Sequence, residues 1–238
     1  MYYKKSTGFI INIKIKKIKM AETLKLRKGE NFNLSRNFSG QTKFKIGLSW
    51  DKVEGRKSFD LDLIIVQLTD RIDNGGKVVD LDHVVFYGSN DPSRPGNDKR
   101  IFTCSNGSVG FKDPEGAVLH YGDNRTGEGD GDDESIDIDF NKINPKTKSI
   151  VAVSSIYDPD KEGLNFGMVK NPKIRLYQGD SDISELTYEL REDYSGKSCL
   201  EFIELYLYNN EWKMSALGDG NENDLEAELK KFGIPVEG

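Results

Sequence analysis

The chain has 238 residues, a formal net charge of −6 at pH 7 and two cysteines. The acidic balance argues against nucleic acid as the main partner, because binding to phosphates needs an excess of basic side chains. Two cysteines are too few for a disulfide framework and favour a reducing, cytoplasmic compartment, and no apolar run approaches the roughly eighteen residues that a transmembrane helix needs.

Residues 1–19 form a basic arm that differs in composition from the rest of the chain. They include six lysines and no acidic residue. Three interpretations stay open, namely an arm that binds a membrane surface, a crude signal peptide, and a segment that precedes the true start at Met20. We expect residues 1–19 to be disordered or not native, and residues 20–238 to fold as a single domain.

After the arm, the hydrophobic pattern is that of a mainly β protein. Apolar and polar residues alternate over residues 43–50, which predicts a strand with one buried face. Residues 58–68 form the strongest predicted strand, and their apolar centre indicates a central place in a sheet. Asp60 and Asp62 share one face at its start, where they are either solvated acids or metal ligands, because a buried carboxylate needs a compensating partner.

The middle of the chain has a less regular pattern. Residues 73–76 predict a turn, and residues 78–87 predict a strand or an extended segment. We interpret residues 100–117 as an insertion or an irregular excursion, with Cys104 in a loop that could be exposed.

The C-terminal half returns to strands and ends in a helix. Asn209 and Asn210 predict the turn of a hairpin. The one clear helix spans residues 224–232, with Asn223 as its cap and Gly233 as its stop. The predicted fold is a β-sandwich of two packed sheets with a C-terminal helix and few short helices. Further strands are predicted at residues 135–140, 150–157, 172–177, 185–190, 198–208 and 211–217.

An acidic stretch, residues 121–140, stands out at the centre of the chain. It carries eight carboxylates against one base, Arg125, and glycines alternate with the acids. Many oxygen donors on a flexible loop, with no sulfur or imidazole inside it, suit a hard cation, and calcium matches best because it accepts six to eight oxygens in loose geometry. The alternative is a solvated or disordered acidic loop. An EF-hand is excluded, because a register that starts at Asp123 places Arg125 and Gly127 at ligand positions.

One segment within this stretch carries a family resemblance. The run Gly122-Asp-Asn-Arg-Thr-Gly-Glu-Gly-Asp-Gly-Asp-Asp-Glu134 resembles the signature of the TerD family of tellurite-resistance and general stress proteins. Shorter matches lie on both sides of this run, in the order expected for the family, and include residues 24–29, 59–62, 156–158 and 165–167. The arm before Met20 has no family counterpart, and residues 99–116 are longer than the family's usual connection.

The resemblance implies a cytoplasmic bacterial β-sandwich that binds calcium, two ions in number, through the acidic loop and the start of the strand at Asp60 and Asp62. It also implies a part in resistance to tellurite or other chemical stress. It implies no reaction, because the biochemical activity of the family is unsettled. Partners expected on this basis are calcium and other stress-response or membrane-associated proteins.

The leading hypothesis is therefore a calcium-binding stress-response protein that is not an enzyme and acts by binding, at or near the cytoplasmic membrane face. Two alternatives stay open: a metal-dependent hydrolase or phosphotransferase that uses the same acidic site, and a calcium-dependent lipid-binding sandwich. No dedicated base or nucleophile supports the hydrolase, since His120, near the loop, is more typical of a packed strand histidine. The predicted metal ligands are Asp60, Asp62, Asp123, Asn124, Glu128, Asp130, Asp132, Asp133 and Glu134.

Overall fold

The structure is a computed structural model that describes residues 23–52, 59–90, 100–122, 131–222 and 225–235. In these ranges, fourteen strands, β1 to β14, form two sheets that pack face to face. This architecture confirms the predicted β-sandwich. The basic arm and the predicted helix cap at Asn223 lie outside the described residues.

Sheet A has eight strands in the order β1-β12-β11-β3-β9-β8-β7-β6. β1 runs parallel to β12, and the other neighbours in this sheet are antiparallel within the described residues. The bounds are β1 Leu24–Leu26, β3 Lys43–Asp51, β6 Ile101–Thr103, β7 Val109–Lys112, β8 Val118–His120, β9 Glu134–Asp139, β11 Lys170–Gln178 and β12 Ser184–Glu189.

Sheet B has six strands in the order β2-β14-β13-β10-β4-β5. Their bounds are β2 Asn31–Asn33, β4 Leu61–Leu68, β5 Val84–Val85, β10 Ser149–Ile156, β13 Cys199–Tyr208 and β14 Glu211–Asn221. The α-helices are α1 Leu34–Asn37, α2 Pro159–Glu162 and α3 Leu225–Lys231, and short 3-10 helices span Ile72–Asn74, Leu81–His83, Tyr87–Asn90 and Phe166–Met168.

The main core lies between the two sheets, and a second core lies outside sheet B. Alternate residues of β3, such as Ile46 and Leu48, face alternate residues of β4, such as Leu63, in the main core. The other face of β4 packs against α3 through Leu229 and the adjoining Phe232. Because β4 and β10 are covered on both faces, their sequences are nearly continuous apolar runs rather than strict alternations.

The hairpin between β13 and β14 forms as predicted. Asn209 and Asn210 both have positive φ angles, 52° and 60°. Two successive residues in the left-handed region match the twist of a two-residue hairpin, and asparagine tolerates that region better than most residues.

Three expectations about the middle of the chain are corrected. Residues 78–87 are not one strand, since the 3-10 helix Leu81–His83 precedes the two-residue β5. Residues 100–117 are not irregular, because β6 and β7 form an antiparallel hairpin that extends the edge of sheet A. Cys104 is buried, and its Sγ lies 3.5 Å from the carbonyl oxygen of Tyr121.

Arg100 holds this hairpin against the rest of the sandwich. Its guanidinium is buried and donates to the carbonyls of Lys112 at 3.0 Å and Val84 at 3.1 Å, and to Asp82 Oδ1 at 3.1 Å. The side chain thus ties the start of β6 to β7, to β5 and to the preceding 3-10 helix.

We expect Arg100→Met to lower the free energy of unfolding by about 2 kcal/mol, because buried acceptors lose a charged donor. Urea denaturation measures this loss, and amide exchange should accelerate over residues 101–112. Arg191→Met is the matched control, since Arg191 pairs with Glu189 at the surface and such pairs contribute about 0–1 kcal/mol. Equal losses in both variants would contradict the role of Arg100.

Candidate functional site

The acidic loop, residues 122–134, connects β8 to β9 at one end of the sandwich. Its entry is fixed where the backbone N–H of Gly122 donates to His120 Nδ1 at 3.1 Å. Gly122 has a φ of +104°, so a side chain here would be strained. Four predicted ligands, Asp123, Asn124, Glu128 and Asp130, lie outside the described residues, and the site is therefore built from its two ends.

Glu134, the last residue of the loop, points into the space between the sheets. It is 2% exposed, and its Oε2 accepts from the backbone N–H of Leu63 at 2.5 Å. β5 pairs with β4 only at Ile65 and Val66, so this carboxylate takes the place that a longer neighbouring strand would occupy. His120 Nε2 lies 3.9 Å from the same oxygen. The loop exit is thereby attached to the start of β4, next to Asp62.

Asp133 forms hydrogen bonds with the backbone near the end of β3. Its Oδ2 accepts from the backbone N–H of Trp50 at 3.0 Å, and its own N–H donates to the carbonyl of Leu48 at 2.8 Å. Burial raises the pKa of the Asp133 carboxyl, and the hydrogen bond from Trp50 acts in the opposite direction. A hydrogen-bonded carboxylate at this position fixes the backbone of the loop and retains acceptor capacity for a cation.

Asp132 lies on the outer face of sheet A. Its Oδ1 accepts from Arg175 Nη1 at 2.6 Å, and its side chain covers Gly47 on β3. The Tyr177 hydroxyl lies 3.5 Å from the same Nη1 atom of Arg175. Burial raises the pKa of Asp132, whereas Tyr177 and Arg175 act to lower it.

Asp60 and Asp62 stand at the start of β4. Asp62 is 4% exposed and is paired across the strands with Ser155 of β10. The backbone carbonyl of Asp60 accepts from the N–H of Tyr157 at 2.9 Å, which joins the start of β4 to the end of β10.

Asp62 also lines a surface cavity of about 460 Å³ at this end of sheet B. Asp158, Asp160 and Glu226 contribute further carboxylates to its wall, and Tyr87 and Tyr157 contribute aromatic rings. Asp158 is the N-cap residue of α2, directly before Pro159, and its φ of 50° lies in the left-handed region. Negative charge and oxygen donors are therefore concentrated beside the start of β4.

The predicted ligands within the described ranges do not all lie in the same place. Glu134 is brought directly to the backbone beside Asp62, whereas Asp132 is directed to the outer face of sheet A. Within those ranges, no group of three or more His, Cys, Asp or Glu side chains is arranged to hold a metal ion. The chain contacts that fix both ends of the loop are shown, and cation binding by these residues stays a prediction.

Sequence reasoning missed the partners of these acids. Arg175 has no signal of its own, since it is one of several basic residues that alternate with apolar ones in β11. Its place opposite Gly47 depends on the register between β11 and β3, which single-strand patterns do not encode. His120 lies in a strand, as predicted, near Phe111 at 6.2 Å between ring centroids, but it is fully buried rather than half-buried as its sequence context suggests.

Fold and site together define a β-sandwich protein with an acidic loop attached to both sheets at one end. A family model described as the TerD domain matches residues 22–232. The chain belongs to this TerD family of tellurium-resistance and stress-response proteins, which confirms the resemblance.

Two relatives extend over nearly the whole chain. General stress protein 16U of Bacillus subtilis (strain 168) is 31% identical over 216 residues, covering 90% of this chain and 99% of that protein. Tellurium resistance protein TerD of Serratia marcescens is 33% identical over 213 residues, covering 89% and 98%. Both names describe proteins of stress response or resistance.

A solved structure supports the fold. The crystal structure of a homologue of telluride resistance protein (TerD) from Streptomyces coelicolor A3(2) aligns with a TM-score of 0.58 at 17% identity, covering 82% of this chain and 100% of that one. At this identity the likeness concerns the fold alone. Among the described residues, no helix has the length and apolar character needed to cross a membrane.

Proposed function

We propose that this TerD-family protein is a calcium-binding stress-response protein that acts in the cytoplasm as a binding module, at or near the membrane face. The observation that carries the proposal is the bond between Glu134 and the backbone of Leu63. It attaches the exit of the acidic loop to the strand that begins with Asp60 and Asp62. This contact supports the proposal because the loop exit and the start of β4 lie at the same end of the sandwich.

The chemistry of the donors fits calcium. The side chains concerned offer carboxylate and amide oxygens, which hard cations prefer. Asp62 and Glu134 are 4% and 2% exposed, and in such low-dielectric surroundings the attraction between a carboxylate and a divalent cation is stronger than in water. The proposed ligands come from Asp60, Asp62, Asp123, Asn124, Glu128, Asp130, Asp133 and Glu134, and two ions are expected.

A bound calcium would supply positive charge that neutralises the loop and fixes its backbone. The chain's own residues do the rest: Gly122 and Glu134 hold the two loop ends, and Asp133 fixes the backbone at the end of β3. The expected outcome is a rigid, neutralised surface at this end of the sandwich, to which another stress-response or membrane-associated protein binds.

Calorimetric titration of chelator-treated protein tests the cation site. We expect a saturable calcium isotherm with a Kd in the micromolar range or tighter, and weak or no binding of magnesium. Asp62→Asn should weaken calcium binding by about tenfold or more, because one charged oxygen donor is lost. Absence of heat, together with an unchanged Tm on addition of calcium, would disprove calcium binding.

Asp182→Asn is the matched control for this titration. Asp182 is exposed in the connection between β11 and β12. This connection starts after Gln178, which pairs with Phe44 near the start of β3, whereas the loop exit contacts Trp50 near the end of β3. This variant removes the same charge far from the loop, so calcium binding should be unchanged. A similar loss of affinity in both variants would show that net charge, rather than a site, controls binding.

The membrane-face part of the proposal has a separate test. Vesicles of phosphatidylserine and phosphatidylcholine are sedimented with the protein in the presence of calcium or of chelator. Calcium-dependent sedimentation would support membrane attachment, and its absence with a normal calcium isotherm would limit the proposal to a protein partner.

A further inference from the structure

The outer face of sheet A holds an enclosed ion pair at the exit of the acidic loop. Arg175 Nη1 lies 2.6 Å from Asp132 Oδ1, and the two side chains are only 19% and 10% exposed. Asp132 lies against Arg175 and Gly47 on this outer face, whereas the Glu134 side chain lies between the sheets. The Asp132 carboxylate already has a positive partner from the protein itself.

Gly47 provides the space in which this carboxylate lies. A Cβ atom on Gly47 would be 2.0 Å from Asp132 Oδ2 and 2.1 Å from Cγ, far below contact distance. The position of the glycine is set by register, because Gly47 is paired with Arg175 on β11 and with Ser135 on β9. The absence of a side chain on β3 thus allows Asp132 to reach Arg175 across the sheet.

Tyr177 completes the arrangement. It lies two residues from Arg175 on the same face of β11, and its hydroxyl lies 3.5 Å from Arg175 Nη1. Lys45, the partner of Tyr177 on β3, lies 4.4 Å from the centroid of the Tyr177 ring. The aromatic ring shields one side of the ion pair, which strengthens the attraction between its charges.

We propose that Asp132 is a positioning residue rather than a cation ligand: with Arg175 and Tyr177 it forms a clamp, seated on Gly47, that fixes the exit of the acidic loop on the outer face of sheet A. The clamp is a property of the protein without added cation, and its consequence for calcium affinity rests on the proposed function. Asp133 and Glu134 follow the clamp directly, so it determines how these two acids are presented.

A stability cycle in chelator tests the clamp independently of calcium. Asp132→Asn and Arg175→Gln should each lower Tm by about 5 °C, because each leaves an enclosed partner behind. The Tm of the double variant should be no lower than that of the less stable single variant, because both changes break the same interaction. Additive losses would overturn the clamp.

A second double-mutant cycle, between Gly47 and Asp132, tests whether the Asp132 carboxylate lies in the space beside Gly47. Gly47→Ala should lower Tm by about 5 °C or more in the natural sequence, because the methyl group displaces the Asp132 carboxylate. In an Asp132→Ala background the carboxylate that the methyl group would displace is absent, so the same change at Gly47 should shift Tm by no more than about 1 °C. Equal shifts in both backgrounds would overturn the assignment of Gly47 as the seat.

Calcium titration then separates positioning from ligation. If Asp132 positions the loop, Asp132→Asn and Arg175→Gln weaken calcium binding by a similar factor, about threefold to tenfold, with an unchanged number of ions. Loss of one bound ion in Asp132→Asn but not in Arg175→Gln would overturn the proposal and make Asp132 a ligand. If the natural protein binds no calcium, the proposed function fails, and the two stability cycles still decide on the clamp.

Discussion

Gly218→Ala is expected to lower the free energy of unfolding by about 3 kcal/mol. Gly218 has a φ of +62°, and a Cβ atom there would be 2.0 Å from the hydroxyl oxygen of Tyr188 and 2.9 Å from that of Tyr194. Both rings are buried, and Tyr194 donates to the Gly218 carbonyl at 2.9 Å, so neither moves cheaply. Left-handed strain contributes about 1 kcal/mol and overpacking the remainder. Urea denaturation measures the sum.

Gly163→Ala separates the two contributions. Gly163 has a φ of +63°, nearly the same as Gly218, but among the described residues no atom beyond its own chain neighbours lies within 4 Å of the place that an added methyl group would take. Its loss should therefore be only the backbone strain of about 1 kcal/mol. If the two alanine variants lose equal stability, contact with Tyr188 and Tyr194 contributes nothing.

The second large effect concerns two buried glutamates beneath α3. Glu201 on β13 and Glu228 on α3 are almost fully buried; Lys231 forms an ion pair with Glu201, and Asn221 donates to Glu228. Burial, followed by the hydrogen bond with Glu228, raises the pKa of Glu201 from 4.5 to about 8. The folded protein therefore retains a proton here that the unfolded chain releases above about pH 4.5, so this group makes stability fall as pH rises from about 4.5 to about 8.

Glu228→Gln should reduce this fall. The amide keeps the shape and a hydrogen-bond acceptor for Asn221, but removes the carboxyl group that opposes ionisation of Glu201. We expect equal stability at pH 5 and a gain of about 2 kcal/mol over the natural protein at pH 9, measured by urea denaturation at both values. An unchanged pH dependence would rule out coupling between the two carboxyl groups.

Glu226→Gln on the same helix is the matched control. Glu226 pairs with Lys230 at 2.7 Å near the surface, where such i, i+4 pairs contribute about 0.3–0.5 kcal/mol. Its removal should leave the difference in stability between pH 5 and pH 9 as it is in the natural protein.

Strand patterning predicted most of the sandwich because burial on one face or on both leaves a clear mark in the sequence. The sequence pattern did not predict β6 and β7, which form an edge hairpin with strands of three and four residues. Because Ile101 and Val109 are exposed, this hairpin buries too little surface to require alternation of apolar and polar residues. Within the site, the acids were evident from composition. Their different directions were not, because the Arg175 and Leu63 contacts join strands that are distant in sequence.

The pairing of the first two strands has a consequence for synthesis of the chain. β1 is hydrogen-bonded to β12, with Leu24 opposite Leu186, and β2 is hydrogen-bonded to β14, with Phe32 opposite Met214. β1 and β2 can therefore pair only after strands that are synthesised much later, and contacts so distant in sequence form slowly. While the chain emerges, neither sheet can be completed, and a nascent protein that stops before β14 leaves strand edges open to aggregation. Sheet B can be completed only after β14 has been synthesised.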